Sequence, residues 1–367
     1  MRGAVMKEAL ASALTVVGKG ITRKQWNPAS GMVSLEFHEH GLRLRAMDWS
    51  RNINMTVEVP AKVEKKGTIC VSHDRLSALV SMLSNERIDF ELCGDRLQLK
   101  CGAQKANFTT MPGDTIPSPM STEPAFMILG DDFKNAVASA RLCLLPEGDP
   151  RSLLTGANLI WNQDALHIYA ADGYTLATAH ITGVGMIEPF NIILPPGALN
   201  LIDVMDAPIQ MFLGEGTATL KSADVELQFP LLKGKFPDVQ TILNGKFPKR
   251  MTFFRVSVAQ ALKTVSPFGN SFHLRCEGED VWVHGKDKTS GDVEVKLYST
   301  DSQDNLGFII LSKTLLSIVL KEKWDKLVIE WKDHRSPARI TSGDEGGSVF
   351  VMMPLTSIKD SEGEKVK

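Results

Sequence analysis

Gly41-Leu42-Arg43-Leu44-Arg45-Ala46-Met47-Asp48, Ala165-Leu166-His167-Ile168-Tyr169-Ala170-Ala171-Asp172 and Asp280-Val281-Trp282-Val283-His284-Gly285-Lys286-Asp287 are three stretches of one chain that share one pattern. Each alternates apolar with other residues at period 2, as a strand with one buried face does, and each ends in aspartate. The aspartates stand 124 and 115 residues apart (48 to 172 to 287). Their surroundings repeat as well. An amphipathic helix is expected before each strand: Met6–Val17, Asp131–Leu144 and Ser257–Phe268, with apolar residues three and four apart on one face. Gly130-Asp131-Asp132 and Ser257 read as caps of the second and third of these helices.

A second helix and an antiparallel strand pair follow each strand. They read as Ser72–Val80 with Arg87–Leu92 and Arg96–Lys100, Pro195–Met205 with Ile209–Leu213 and Thr217–Lys221, and Ser312–Leu320 with Lys326–Trp331 and Ala338–Thr341. The expected fold is therefore α+β: three repeated units, residues 1–122, 123–248 and 249–357, each with two helices packed on antiparallel sheet. Residues 358–367 form a charged tail expected to be disordered.

Hydrophobic content of 43% and charged content of 23% are those of a soluble globular protein. No run approaches the ~18 apolar residues of a membrane span. Lys7 and Glu8 arrive before any apolar run, so no signal peptide is expected and the location is read as cytoplasmic. Cys70, Cys93, Cys101, Cys143 and Cys276 are scattered without CxxC spacing, which suggests neither a zinc site nor a disulfide framework. A net charge of −2 excludes nucleic-acid binding through bulk positive charge, but not through segregated charge.

Enzymatic readings fail on spacing. Gly18-Lys19-Gly20-Ile21-Thr22-Arg23 lacks the preceding strand and the GK[ST] ending of a phosphate loop, and reads as a helix-terminating turn. His38-Glu39-His40 offers two metal ligands without a third at sensible spacing, so a solvated strand end is preferred. Asp48, Asp172 and Asp287 sit in different units, whereas acid–base work needs two groups across one bond; capping the turn after each strand suits them better. No cofactor and no metal is expected.

Asp172-Gly173, Gly234-Lys235-Phe236-Pro237-Asp238 and Val351-Met352-Met353-Pro354-Leu355, in register on the threefold repeat, resemble the bacterial DNA polymerase III β subunit, the sliding clamp, from Met6 to Leu355. The resemblance implies a head-to-tail homodimer in which each chain forms half of a ring around double-stranded DNA, with helices lining the hole. DNA polymerase and clamp loader subunits are the implied partners. It places one subunit end near Lys105, Ala106, Asn107 and Phe108 and the other near Val265–Asn270. It also implies a peptide pocket of Leu154, Asp172, Gly173, Tyr174, Thr175, Leu176, Pro237, Ile242, Val351, Met352, Met353, Pro354 and Leu355. The plainer alternative is a closing strand whose methionines fill a core, and alternation makes Met352 core in either case. The candidates for DNA contact are Arg23, Lys24, Arg151, Lys134, Arg141 and Lys263, against the alternative of ordinary solvated helix faces.

Some residues depart from the family pattern. Pro196-Gly197 stands where basic residues are expected, Leu311 and Thr314 where Asn and Tyr are common, and Thr175 where Arg is common. A divergent clamp paralogue, of mobile-element or regulatory type, and a non-ring adaptor are the alternatives.

Overall fold

The computed structural model describes residues 1–21, 28–84, 86–119, 126–162, 164–182, 188–277, 280–287, 289, 291–300, 307–344 and 347–355. Arg23, Lys24 and the tail 358–367 lie outside the described residues.

The element order repeats as the three aspartate-ended strands suggest. The first run is β1 (Arg2–Met6), α1 (Lys7–Val17), β2 (Met32–His38), β3 (Gly41–Asp48) and β4 (Ile53–Val59). It continues with β5 (Ala61–Lys65), β6 (Gly67–Ser72), α2 (His73–Met82), β7 (Arg87–Cys93), β8 (Arg96–Cys101), β9 (Gln104–Thr109) and β10 (Met111–Pro112). The second is β11 (Phe126–Leu129), α3 (Asp131–Ala140), β12 (Ala157–Trp161), β13 (Ala165–Ala171) and β14 (Thr175–Thr182). After it come β15 (Phe190–Leu194), α4 (Pro196–Leu201), β16 (Ile209–Gly214), β17 (Thr217–Lys221), β18 (Val225–Pro230) and the short α5 (Gln240–Leu243). The third is β19 (Lys249–Phe254), α6 (Arg255–Val265), β20 (Ser271–Glu277), β21 (Asp280–Asp287) and β22 (Gly291–Leu297). It closes with β23 (Phe308–Ser312), α7 (Thr314–Lys321), β24 (Lys326–Trp331), β25 (Ala338–Thr341) and β26 (Val349–Met352).

The fold is α+β, with antiparallel sheets and few helices. The chain divides into two compact units. The first holds a five-stranded sheet, β5-β1-β7-β8-β9, and a nine-stranded sheet, β10-β6-β2-β3-β4-β18-β17-β16-β11. The second holds an eight-stranded sheet, β15-β12-β13-β14-β26-β25-β24-β19, and a four-stranded sheet, β22-β21-β20-β23. Strands far apart in sequence meet at two seams: β4 with β18 in the first unit, and β14 with β26 in the second.

Helices α1 and α6 bury the stripes their sequences mark. Leu10, Ala13, Leu14 and Val17 of α1 are buried against β3, β4 and α2. Val258, Ala261, Leu262 and Val265 of α6 are buried against β21, β22 and α7. Each fully buried Leu or Val contributes roughly 1.5–3 kcal/mol. His73 opens α2 and reaches back with Nε2 to the carbonyl of Leu14, at 2.9 Å. A side chain at Gly18 would collide with that imidazole, its Cβ falling 2.6 Å from Nε2.

Several helix ends depart from the expected ones, among them that of α4, which stops at Leu201 rather than Met205. Ser257 does not cap α6, which already begins at Arg255. The helix runs straight out of β19, and the Arg255 N–H donates to the distant Asp325 carbonyl at 3.0 Å, so a neighbouring strand end supplies the acceptor. The helix expected to reach Leu144 stops at Ala140 and tightens into a 3-10 turn over Arg141–Cys143. Gly18–Gly20 is also a 3-10 turn, closing α1.

Candidate functional site

The turn after β13 begins with Asp172, whose Oδ1 accepts from the N–H groups of Tyr174 (2.8 Å) and Thr175 (2.6 Å). Asp48 holds Ser50 and Arg51, and Asp287 holds Thr289, in the same way, so the repeated aspartates cap turns. Gly173 sits at φ +93°, a conformation that favours glycine. A Cβ there would lie 3.2 Å from Arg151 Nη1. Glycine therefore lets the Arg151 guanidinium approach the turn.

Beyond the turn, β14 pairs with β26, placing Thr175 opposite Met352 and Leu176 opposite Val351. Met353 N–H donates to the Tyr174 carbonyl at 2.8 Å, and Leu355 N–H donates to Ile310 at 2.9 Å. The chain after β26 is thus held extended, and its side chains alternate. Val351, Met352 and Pro354 are buried, while Met353 is 41% and Leu355 38% exposed. Met352 is core; Met353 and Leu355 are not. Tyr174, at 68% exposure, stands beside them on the chain that carries the turn.

Leu154 is half-buried in a short loop where its N–H donates to Arg151 O and its carbonyl accepts from Leu145. Leu153 fills the space that a side chain at Gly234 would need. Phe236 and Val239 are buried, leaving Pro237 exposed and Ile242 42% exposed on either side of the start of α5. Gln240 Nε2 donates to the Tyr169 hydroxyl at 3.1 Å and ties α5 to β13.

Arg151 belongs to this group by position, although its sequence suggested only a DNA contact. Its Nε lies 3.2 Å from Asp149 Oδ1. Asp149 foremost, with smaller contributions from Tyr174 and Asp172, raises its pKa. Deeper in, burial pushes the Cys143 thiol up to about 12, so it is packing and not a nucleophile at neutral pH.

The other candidates fall elsewhere. Lys134 on α3 and Arg141 in the turn after it are half-buried and already engaged within the fold. Lys263 is exposed in the last turn of α6. Lys105 and Asn107 are exposed and Ala106 and Phe108 half-buried on β9, an edge strand. His38 Nε2 lies 2.9 Å from Glu58, and among the described residues no group of three or more His, Cys, Asp or Glu is placed to hold a metal. No helix among them is long and apolar enough to cross a membrane.

Two family models match the chain: the DNA polymerase III β subunit N-terminal domain over residues 1–120, and its central domain over residues 128–238. The chain belongs to the DNA polymerase III β subunit family, the sliding clamps. This family is a non-enzymatic processivity factor of DNA replication; it forms dimers and binds DNA and polymerase. The β sliding clamp of Pseudomonas aeruginosa is 22% identical, over 97% of this chain and all of that one. The β sliding clamp homolog GriR of Streptomyces muensis is 24% identical over 72% of this chain and 73% of its own. The clamp structure from Bacillus subtilis superposes with a TM-score of 0.90 at 17% identity, covering 97% of this chain and 99% of that one.

Proposed function

We propose that two copies of this chain close head to tail into a ring around duplex DNA in the cytoplasm, each contributing three repeated units. The ring tethers the replicative polymerase, and other replication and repair proteins, through the strip beside Tyr174. The observation that carries this reading is the split at the end of β26, where Met352 is fully buried while Met353 and Leu355 project outward. A closing strand that only filled a core has no reason to leave two large apolar side chains exposed next to an exposed tyrosine. Methionine and leucine make an adaptable surface for the Leu and Phe of a short partner peptide, and flexible peptides suit exchange between partners.

The clamp loader places the ring, and the ring then holds DNA by topology rather than affinity. Lys263 is an exposed cation suited to that inner wall, and α4 (Pro196–Leu201) carries no Lys or Arg at all. Weak phosphate contacts suit a body that slides. The test is to load the protein on a nicked circle, raise the salt, and linearise the DNA. Retention on the circle followed by loss on linearisation is expected; equal loss from both forms overturns the tether.

A second reading, a divergent paralogue serving other machinery, is favoured by identities of only 20–24% to named clamps and by the similarity to a clamp homolog. Failure of polymerase-tail peptides to bind a ring that loads normally would select it.

A further inference from the structure

A cleft of about 350 Å³ opens at the end of β14 farthest from Tyr174. Asp132 on α3, His180 and Thr182 on β14, and Glu322 and Trp324 after α7 line it, all within the second compact unit. The ends of β14, an eight-residue strand, lie roughly 23 Å apart, so the cleft is a separate place from the strip that carries Met353. Small residues leave the space: Ala136, Ala179 and Gly347 complete its wall. The lining has one sign. Asp132 and Glu322 are carboxylates, and no Lys or Arg lines the cleft among the described residues. Glu322 is half-buried and accepts a hydrogen bond from the buried Ser139, yet neither carboxylate is in an ion pair among the described residues. Burial disfavours the Glu322 charge, and Ser139 and Lys321 offset only part of that. A carboxylate in this position favours a ligand that brings its own cation.

The surroundings select the kind of cation. Glu322 is the residue after α7, so the negative end of that helix dipole lies beside it; the first turn of α3 has the opposite sign, and Asp132 sits there to offset it. Trp324 adds an aromatic wall. It packs at 61° to Phe350, with ring centroids 6.0 Å apart, and its carbonyl accepts from Arg255 Nε at 2.6 Å, which fixes it in place. Carboxylates beside an indole hold organic cations by charge and by cation–π attraction. A metal ion fits less well, because no group of three or more His, Cys, Asp or Glu among the described residues is placed to hold one. The space is also that of a small organic ligand, about ten times the share of one water.

We infer that this cleft binds a primary alkylammonium, with Glu322 as its ion-pair partner, Asp132 at the rim and Trp324 beside the alkyl chain. Two sources share that chemistry, a free polyamine and a lysine side chain of a second protein. The site depends neither on the ring nor on the strip beside Tyr174. The first unit has no such cleft chemistry. Ile128 and Thr252, each three residues before a helix, pair with Gln210 and Val328, and six residues before these stand Val204 and Glu322. Glu8 is the second residue of α1 as Asp132 is of α3. The matching pair in the first unit is therefore Glu8 and Val204, one carboxylate where the second unit has two.

Calorimetric titration at constant ionic strength tests this with two probes, 1,4-diaminobutane and a short acetylated peptide carrying one lysine. At least one should bind the full chain with one site per chain and a dissociation constant below about 1 mM. Glu322→Gln should weaken that binding roughly tenfold and Asp132→Asn about threefold, while Glu8→Gln leaves it unchanged. Glu322→Gln removes a charge that burial disfavours, so it should melt no lower than the parent, and its lost binding is then not lost folding. Tighter binding of the diamine assigns the site to a free polyamine, and tighter binding of the peptide assigns it to a partner's lysine. Equal affinity in the parent, Glu322→Gln and Glu8→Gln proteins would mean diffuse attraction to surface charge and overturns the site. So does the failure of both probes to bind the parent.

Discussion

The two seams share a backbone and differ in chemistry. At β14–β26 the turn holds two residues, Gly173 and Tyr174, and the strand beyond exposes Met353 and Leu355. At β4–β18 the turn is two residues longer, because Asp48 pairs with Ile53, whereas Asp172 N–H donates to the Thr175 carbonyl. Arg51 folds back from it onto Asp48, 2.7 Å away. The positions matching Met353 to Leu355 are Pro230, Leu231 and Leu232, all half-buried. Where the second seam has Tyr169 and His180, the first has Arg45 and Glu58. Together with Glu36, Arg43, Lys221 and Glu226 these line a cleft of about 330 Å³. Glu36 accepts from Arg45 at 2.6 Å, and Glu58 from Arg43 at 2.6 Å. One seam carries ion pairs along a polar cleft, and the other exposes apolar side chains. Repetition supplies the scaffold, and under the function proposed above a few side chains decide which copy of it receives a partner.

If the seams are equivalent as scaffold, damage to either core should cost similar stability. Phe350 and Leu227 occupy matching positions, opposite Ala177 and Met55, and both are fully buried. Phe350→Ala should cost about 3–5 kcal/mol and Leu227→Ala about 2–5 kcal/mol in denaturant unfolding. Either variant unfolding like the parent would break the equivalence.

The seams should part company on binding. Met353→Ala with Leu355→Ala removes apolar surface that is already exposed, so the melting temperature should stay within about 2 °C. Affinity for a polymerase-tail peptide should fall roughly thirtyfold, about 2 kcal/mol. Leu231→Ala with Leu232→Ala should leave peptide affinity unchanged. A large drop in melting temperature for the Met353–Leu355 variant, with peptide binding intact, would return that strip to the core.

Local features of this fold were legible in the sequence. The aspartate turns are made by a side chain and amides two or three residues away, and the helix faces follow a period of 3.6. Even the split between Met352 and its neighbour follows from strand alternation. What escaped depends on residues distant in sequence. The start of α6 is set by the Asp325 carbonyl, so no nearby cap residue marks it. Arg151 reaches the Gly173 turn only because the loop after α3 folds back to it, and nothing in Asp149-Pro150-Arg151 announces it. The joining of β4 to β18 and β14 to β26 had to be seen.

The smallest effect separates the units by pH. Thr15 and Ser139 are both the ninth residue of their helices, α1 and α3. Thr15 Oγ1 donates only within its helix, to Ala11 at 2.9 Å, and is exposed. Ser139 is buried and donates to Glu322, just after α7. Burial raises the Glu322 pKa, and Ser139 and Lys321 offset only part of that. A carboxyl with a raised pKa binds its proton more tightly in the folded than in the unfolded state. Its contribution is therefore present below the ordinary carboxylate range and lost as pH climbs through the raised value. Counting back from the matched strand residues Val328 and Gln210, the first unit has Val204 where the second has Glu322, and no such loss there. Glu322→Gln keeps an acceptor for Ser139 without the charge. It should melt slightly above the parent at pH 7 and level with it near pH 4, whereas Thr15→Ala should shift equally at both. A Glu322→Gln protein that melts lower than the parent at pH 7 would mean the charge is stabilised after all, and the contrast between the units would fail at that point.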